Sequence, residues 1–145
     1  MWKLSTDISI AMDSPVAGYE NNAPGTNKTI PLYIARAKFN GGIHPGKLVY
    51  GFGMHIPWGG AEHVCREFEV YVGPVKWVRV KGHEIPLGAV QAGREADGKL
   101  LYVARANFPN GLFLGKAGTH LRKGGSISYQ GKEWDVDDYE VLVAE

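Results

Sequence analysis

The segment Leu32–Lys47 reads LYIARAKFNGGIHPGK, and Leu101–Lys116 reads LYVARANFPNGLFLGK. Nine of the 16 aligned positions are identical, at an offset of 69 residues. In each copy Leu, Ile or Val, and Ala fill a strand: Leu32, Ile34 and Ala35 in one, Leu101, Val103 and Ala104 in the other. The following Asn-Gly-Gly and Pro-Asn-Gly read as tight turns, because Asn and Gly accept positive φ at little cost. A second strand comes next, in which Gly46 or Gly115 lets the backbone approach a neighbour closely just before Lys47 or Lys116.

The correspondence extends outward from this segment. Upstream, Trp2 matches Trp77 and AGYE (residues 17–20) matches AGRE (residues 92–95), both at an offset of 75. Downstream, GGAEHVCREFEVYV matches QGKEWDVDDYEVLV at 71. The drop from 75 to 69 marks a six-residue insertion in NNAPGTNKTIP, between Glu20 and Leu32. The chain is therefore expected to be a tandem duplication, about residues 2–76 and 77–145, folded as a single domain over 1–145. Two units are too few for a solenoid, so they should close on each other as a pseudo-symmetric pair.

Neither unit reads as helical. WVRVK, FEVYV, YEVLV and LYVARA alternate apolar with polar or small residues at strand period. Twenty glycines and eight prolines interrupt the chain too often for long helices. The expected fold is all-β, an antiparallel β-sandwich of two sheets with the repeats related by a rough two-fold axis.

Composition removes several classes of function. Hydrophobic residues make up 44% and charged residues 21%, which suits a folded globular chain. A net charge of +1 without a basic block argues against nucleic acid and against a polybasic membrane patch. No apolar run is long enough to span a bilayer as a helix. The N-terminus lacks the apolar stretch of a secretion signal, so the expected location is cytoplasmic by default, with unconventional secretion left open. The lone Cys65 allows no internal disulfide and no multi-cysteine metal cluster.

The remaining motifs point away from cofactors and catalysis. His55 and His63 lie close in HIPWGGAEH, but the spacing is not H-E-x-x-H and the second unit lacks both, so no zinc site is expected. GFGMH carries G-x-G without a following helix, and DVDD lacks the calcium-loop pattern. No nucleophile elbow is present, and Cys65, without a counterpart, reads as buried. Arg36 and Arg105 read as structural, each pairing with a carboxylate such as Glu62 or Glu69, and Glu133 or Glu140. Trp58, in a glycine-rich turn, either offers a stacking face or packs internally.

The series AG-x-E, LY-[IV]-ARA, GK, G-x-x-E and [FY]-E-V, present twice in order, resembles the DM-nine repeat. That repeat occurs in small tandem-repeat mannose-binding lectins and in the sugar-binding part of natterin-like proteins. The resemblance implies a pseudo-symmetric β-sandwich, frequent dimer formation and recognition of mannose-containing microbial glycans in innate immunity. It also implies that an acidic residue after the AG-x turn and the lysine of the P-G-K motif hold vicinal sugar hydroxyls. Carried over, these are Glu20 and Lys47 in the first unit, Glu95 and Lys116 in the second. Glutamate stands where some lectin members have aspartate, and the second unit reads Leu-Gly-Lys.

The chemistry of such a pair is self-consistent. A carboxylate only accepts hydrogen bonds and an ammonium only donates, so two adjacent hydroxyls can donate to one and accept from the other. Charge-assisted bonds are about twice as strong as neutral ones. The reading is thus a metal-independent, non-enzymatic lectin with two sites per chain. If each pair is exposed, replacing its lysine should leave the fold intact. A glycosidase would need two carboxylates about 5–9.5 Å apart, which requires Glu62 or Glu133 to enter the same pocket. A third alternative is an interaction or structural module in which the duplicated residues only stabilise the fold.

Overall fold

The computed structural model describes residues 1–5, 14–23 and 25–144. Fourteen strands run through them, seven in each half. In the first half these are β1 (Trp2–Ser5), β2 (Gly18–Glu20), β3 (Ile30–Phe39), β4 (Gly42–Val49), β5 (Gly53–Trp58), β6 (Ala61–Cys65) and β7 (Phe68–Tyr71). The second half holds β8 (Lys76–Lys81), β9 (Gln91–Arg94), β10 (Leu100–Phe108), β11 (Gly111–Ala117), β12 (Gly125–Tyr129), β13 (Lys132–Val136) and β14 (Asp138–Val143). All ladders are antiparallel, and no described residue is helical.

The order of pairing is β1-β7-β3-β2-β11-β12-β13-β6-β5-β4-β9-β10-β14-β8. Exchanging each strand for its counterpart seven places on gives the same order read from the other end. This is the two-fold relation expected from the duplication. It is built differently from a sandwich of two sheets: β3–β4 pairing closes β3-β2-β11-β12-β13-β6-β5-β4 into an eight-stranded ring, with the remaining strands on its flanks.

The cause of closure lies in the AG-x-E strands. Each is short and wedged between a strand of its own half and one of the other. Gly18 and Glu20 pair with β3, while Glu20 and Tyr19 also pair with Gly111 and Leu112 of β11. β9 lies between β10 and β4 in the same way, with Arg94 opposite Ile43. A Cβ on Gly18 would collide with the Leu112 carbonyl, and one on Gly93 with that of Ile43. Glycine is what allows the two halves to cross here.

Two further sets of residues repeat across the axis. Arg36 donates to Glu69 Oε1 (2.8 Å) and to the Ala92 carbonyl of the other half (3.2 Å), with its guanidinium 4.2 Å from the Trp2 ring. Arg105 does the same with Glu140 (2.9 Å), Ala17 (2.9 Å) and Trp77 (4.0 Å). The arginines are structural, as read, and their carboxylates are Glu69 and Glu140. Each half also gathers four rings: Phe39, His44, Trp58 and His63, against Phe108, Phe113, Tyr129 and Trp134. Trp58 belongs to this internal cluster. In both clusters the fourth ring contacts the carbonyl of the third through nitrogen, His63 to Trp58 (2.8 Å) and Trp134 to Tyr129 (2.9 Å).

Candidate functional site

The two lysines occupy matching places in the ladders. Lys47 of β4 faces His55 of β5, and Lys116 of β11 faces Ser126 of β12. The preceding glycines are required by close packing, since a Cβ on Gly46 or Gly115 would strike the carbonyl of His55 or Ser126. Both lysines are buried, 5% and 2% exposed. This corrects the expectation of an exposed pair. Each ammonium is drawn inward because residue 44 or 113, on the hairpin of the opposite half, meets it: Phe113 lies 5.1 Å from Lys47 Nζ, and His44 Nδ1 lies 3.2 Å from Lys116 Nζ.

Lys47 finds its carboxylate in Glu62 of β6, with Nζ–Oε1 at 3.1 Å and the glutamate side chain 8% exposed. That approach is an ion pair without hydrogen-bond alignment, so Glu62 Oε1 remains without a hydrogen-bond partner. His55 Nδ1 beside it is also buried and unpartnered. Burial is the main reason the His55 pKa is lowered; Glu62 opposes this and Lys47 and Arg66 reinforce it. Glu20 lines the same cleft, of about 660 Å³, as Lys47, His55 and Glu62. Its carboxylate makes no ion pair or hydrogen bond among the described residues. The first expected pair thus shares one cleft, but Glu62, not Glu20, touches the lysine.

The second half uses the same groups on one another. Glu133, the counterpart of Glu62, accepts from Ser126 Oγ (2.5 Å) and from the Gly60 amide (2.8 Å). Glu95 contacts His120 Nε2 at 2.8 Å, and its other oxygen lies 3.8 Å from His44 Nε2. Glu95 and Lys116 therefore do not touch; the His44 ring stands between them. An ammonium can only donate, so His44 Nδ1 accepts and Nε2 carries the hydrogen. Burial, followed by the Lys116 charge, pushes the His44 pKa down to about 4, so at neutral pH its contact with Glu95 is polar and not ionic. Burial likewise lowers the Lys116 pKa against the pull of Glu95 and Glu133.

His55 and Glu62 escaped the sequence reading as site residues. Glu62 had a signal, since GGAE and QGKE place a glutamate at matching positions, but Arg36 was an equally good partner for it. His55 had none: the second half carries serine there. His55 and His63 oppose Val64 and Ile56 on successive rungs of the β5–β6 ladder, so their side chains leave opposite faces.

The DM9 repeat family profile matches residues 26–124, and the chain belongs to that family. Membership suggests a carbohydrate-binding role. No curated protein resembles the chain at a significant level.

Proposed function

We propose that the protein is a non-enzymatic, metal-independent lectin for mannose-type glycans, with the cleft around Lys47, Glu62, His55 and Glu20 as its sugar site. One observation carries this reading. Beside a buried ammonium, Glu62 Oε1 and His55 Nδ1 lack hydrogen-bond partners, and the cleft they line also holds the unpaired Glu20. Buried polar atoms are nearly always satisfied, and an orphan such as His55 Nδ1 costs roughly 1–3 kcal/mol, while Glu62 Oε1 has the Lys47 ammonium at 3.1 Å but accepts no aligned hydrogen bond. Vicinal hydroxyls supply what is missing. One donates to Glu62, its oxygen accepts from Lys47, and a neighbour bonds His55 or Glu20.

Glu62 does enter the pocket of Glu20, the condition set above for a glycosidase. Its pairing with Lys47 favours holding hydroxyls over protonating a leaving group. The duplicated motif suggests a second site at Glu95 and Lys116, but the groups there already satisfy one another, which leaves the first cleft to take the sugar. Recognition of microbial glycans fits this reading as its biological use.

Titration with methyl α-mannoside, followed through the His55 ring resonances, tests the assignment. A single sugar should bind at around millimolar, near −4 kcal/mol, and shift those signals equally before and after chelation of metals. Unmoved His55 resonances at saturating sugar, or shifts that vanish on chelation, would overturn it.

A further inference from the structure

Resting on the carbohydrate reading of the cleft, we infer that its outer part is an aglycone subsite, fitted to a mannoside that carries an aryl or short alkyl substituent. Lys47, His55 and Glu62 lie together at one end, while Glu20 pairs with Ile30, four residues along β3 from Ile34, the partner of Lys47. Lys47 and His55 are paired across the β4–β5 ladder, and Val49 follows two residues on, on the same face of β4. Beyond it the hairpin turns through Tyr50, Gly51 and Phe52, closed by the Phe52 amide on the Val49 carbonyl at 2.9 Å. Tyr50 and Phe52 line the cleft while remaining 59% and 60% exposed. Tyr33, Ile30 and Pro31 complete an apolar lining.

Both features are confined to the first half. The β11–β12 turn, at the place of Tyr50-Gly51-Phe52, runs Thr119-His120-Leu121-Arg122-Lys123, and His120 folds back onto Glu95. The longer connection before β3, which holds the six-residue insertion, supplies Ala23 and Thr26 to the cleft wall, and the first residues of β3 add Ile30 and Pro31. It is pinned by Thr29 Oγ1 on Asn21 Oδ1 (2.8 Å) and by the Asn21 amide on the Asn110 carbonyl (2.8 Å). The second half has in its place the tight turn in which the Glu95 amide bonds the Lys99 carbonyl. Insertion and aromatic tip thus converge on one cavity, whose volume lies in the range that encloses drug-sized ligands and exceeds one sugar ring. A second sugar would need several hydrogen-bonding groups there. Beyond Lys47, His55 and Glu62 the lining offers Glu20, Thr26, Gln130 and the tyrosine hydroxyls against the apolar surfaces of Ala23, Ile30, Pro31, Val49, Tyr50 and Phe52, so an apolar substituent fits better.

The test compares methyl α-mannoside, phenyl α-mannoside and a mannose disaccharide by calorimetry. The phenyl compound should bind about tenfold tighter than the methyl one, a factor equal to about 1.4 kcal/mol. Tyr50→Ser/Phe52→Ser, a change at exposed positions, should bring the ratio close to one. Aryl protons should also show through-space contacts to the Phe52 ring in the unaltered protein. A phenyl-to-methyl ratio near one, a ratio untouched by the double substitution, or an equal gain from the disaccharide would overturn the inference while leaving the sugar site standing. If neither mannoside binds, the carbohydrate reading itself fails and takes the subsite with it.

Discussion

Lys47 and Lys116 end the same phrase of sequence, yet their neighbours differ by two substitutions. His55 is replaced by Ser126, whose hydroxyl draws Glu133 away from its lysine. Phe113 is replaced by His44, which gives Lys116 an acceptor in place of a ring face. The lysines and the AG-x-E carboxylates were legible as candidates because the repeat displays them. Their depth was not, because burial depends on the opposite hairpin, some 70 positions away in the chain. Lys47 in a buried ion pair also changes the expected effect of its removal. Losing one partner leaves the other charge uncompensated, at a cost of about 3–5 kcal/mol.

The charge state of His44 sets a pH dependence of stability. It is buried against Lys116, with Glu95 and Glu133 as the nearby carboxylates. Its pKa is about 4 in the folded protein and near 6.5 when unfolded. The unfolded chain therefore takes up the extra proton, and the stability due to neutral His44 is complete above pH 6.5. It is lost as pH falls through 4, by about 3 kcal/mol at most. His44→Phe, copying Phe113, should flatten the fall in melting temperature between pH 6.5 and 4. Parallel slopes for parent and variant would contradict this, whatever the variant's absolute stability.

Among the elements, the alternation of apolar and polar residue types located β7, β8, β10 and β14, although burial follows it only in part: Val70 and Tyr71, Val103 and Ala104, and Val141 to Val143 are buried in succession. The ring was not legible. It depends on β2 and β9, of three and four residues, too short to carry a period and paired with the other half. The glycines of AG-x-E marked the place without revealing the crossing. Gly93→Ala should therefore destabilise by roughly 1–3 kcal/mol or more, as its methyl meets the Ile43 backbone. Gly59→Ala meets open space and should cost only about 1 kcal/mol, for its φ of 63°. Denaturant titration of the two variants decides; equal losses would mean that the crossing tolerates a side chain.

At the scale of the whole molecule, the palindromic strand order makes the two halves equivalent in topology, and the side chains make them unequal in chemistry. The ring takes strands from both halves, so neither can close it alone. What distinguishes the first half is an open cleft with orphaned polar atoms; the second keeps its carboxylates partnered. Duplication was plain in the sequence, and with it the expectation of two sites. The inequality became visible only once the partners of each carboxylate were in place. Its most direct test is the stoichiometry of methyl α-mannoside by calorimetry on the parent, Glu62→Gln and Glu95→Gln proteins. One sugar per chain is expected, lost in Glu62→Gln and kept in Glu95→Gln. Two sugars per chain, or loss in Glu95→Gln with binding retained in Glu62→Gln, would contradict the account.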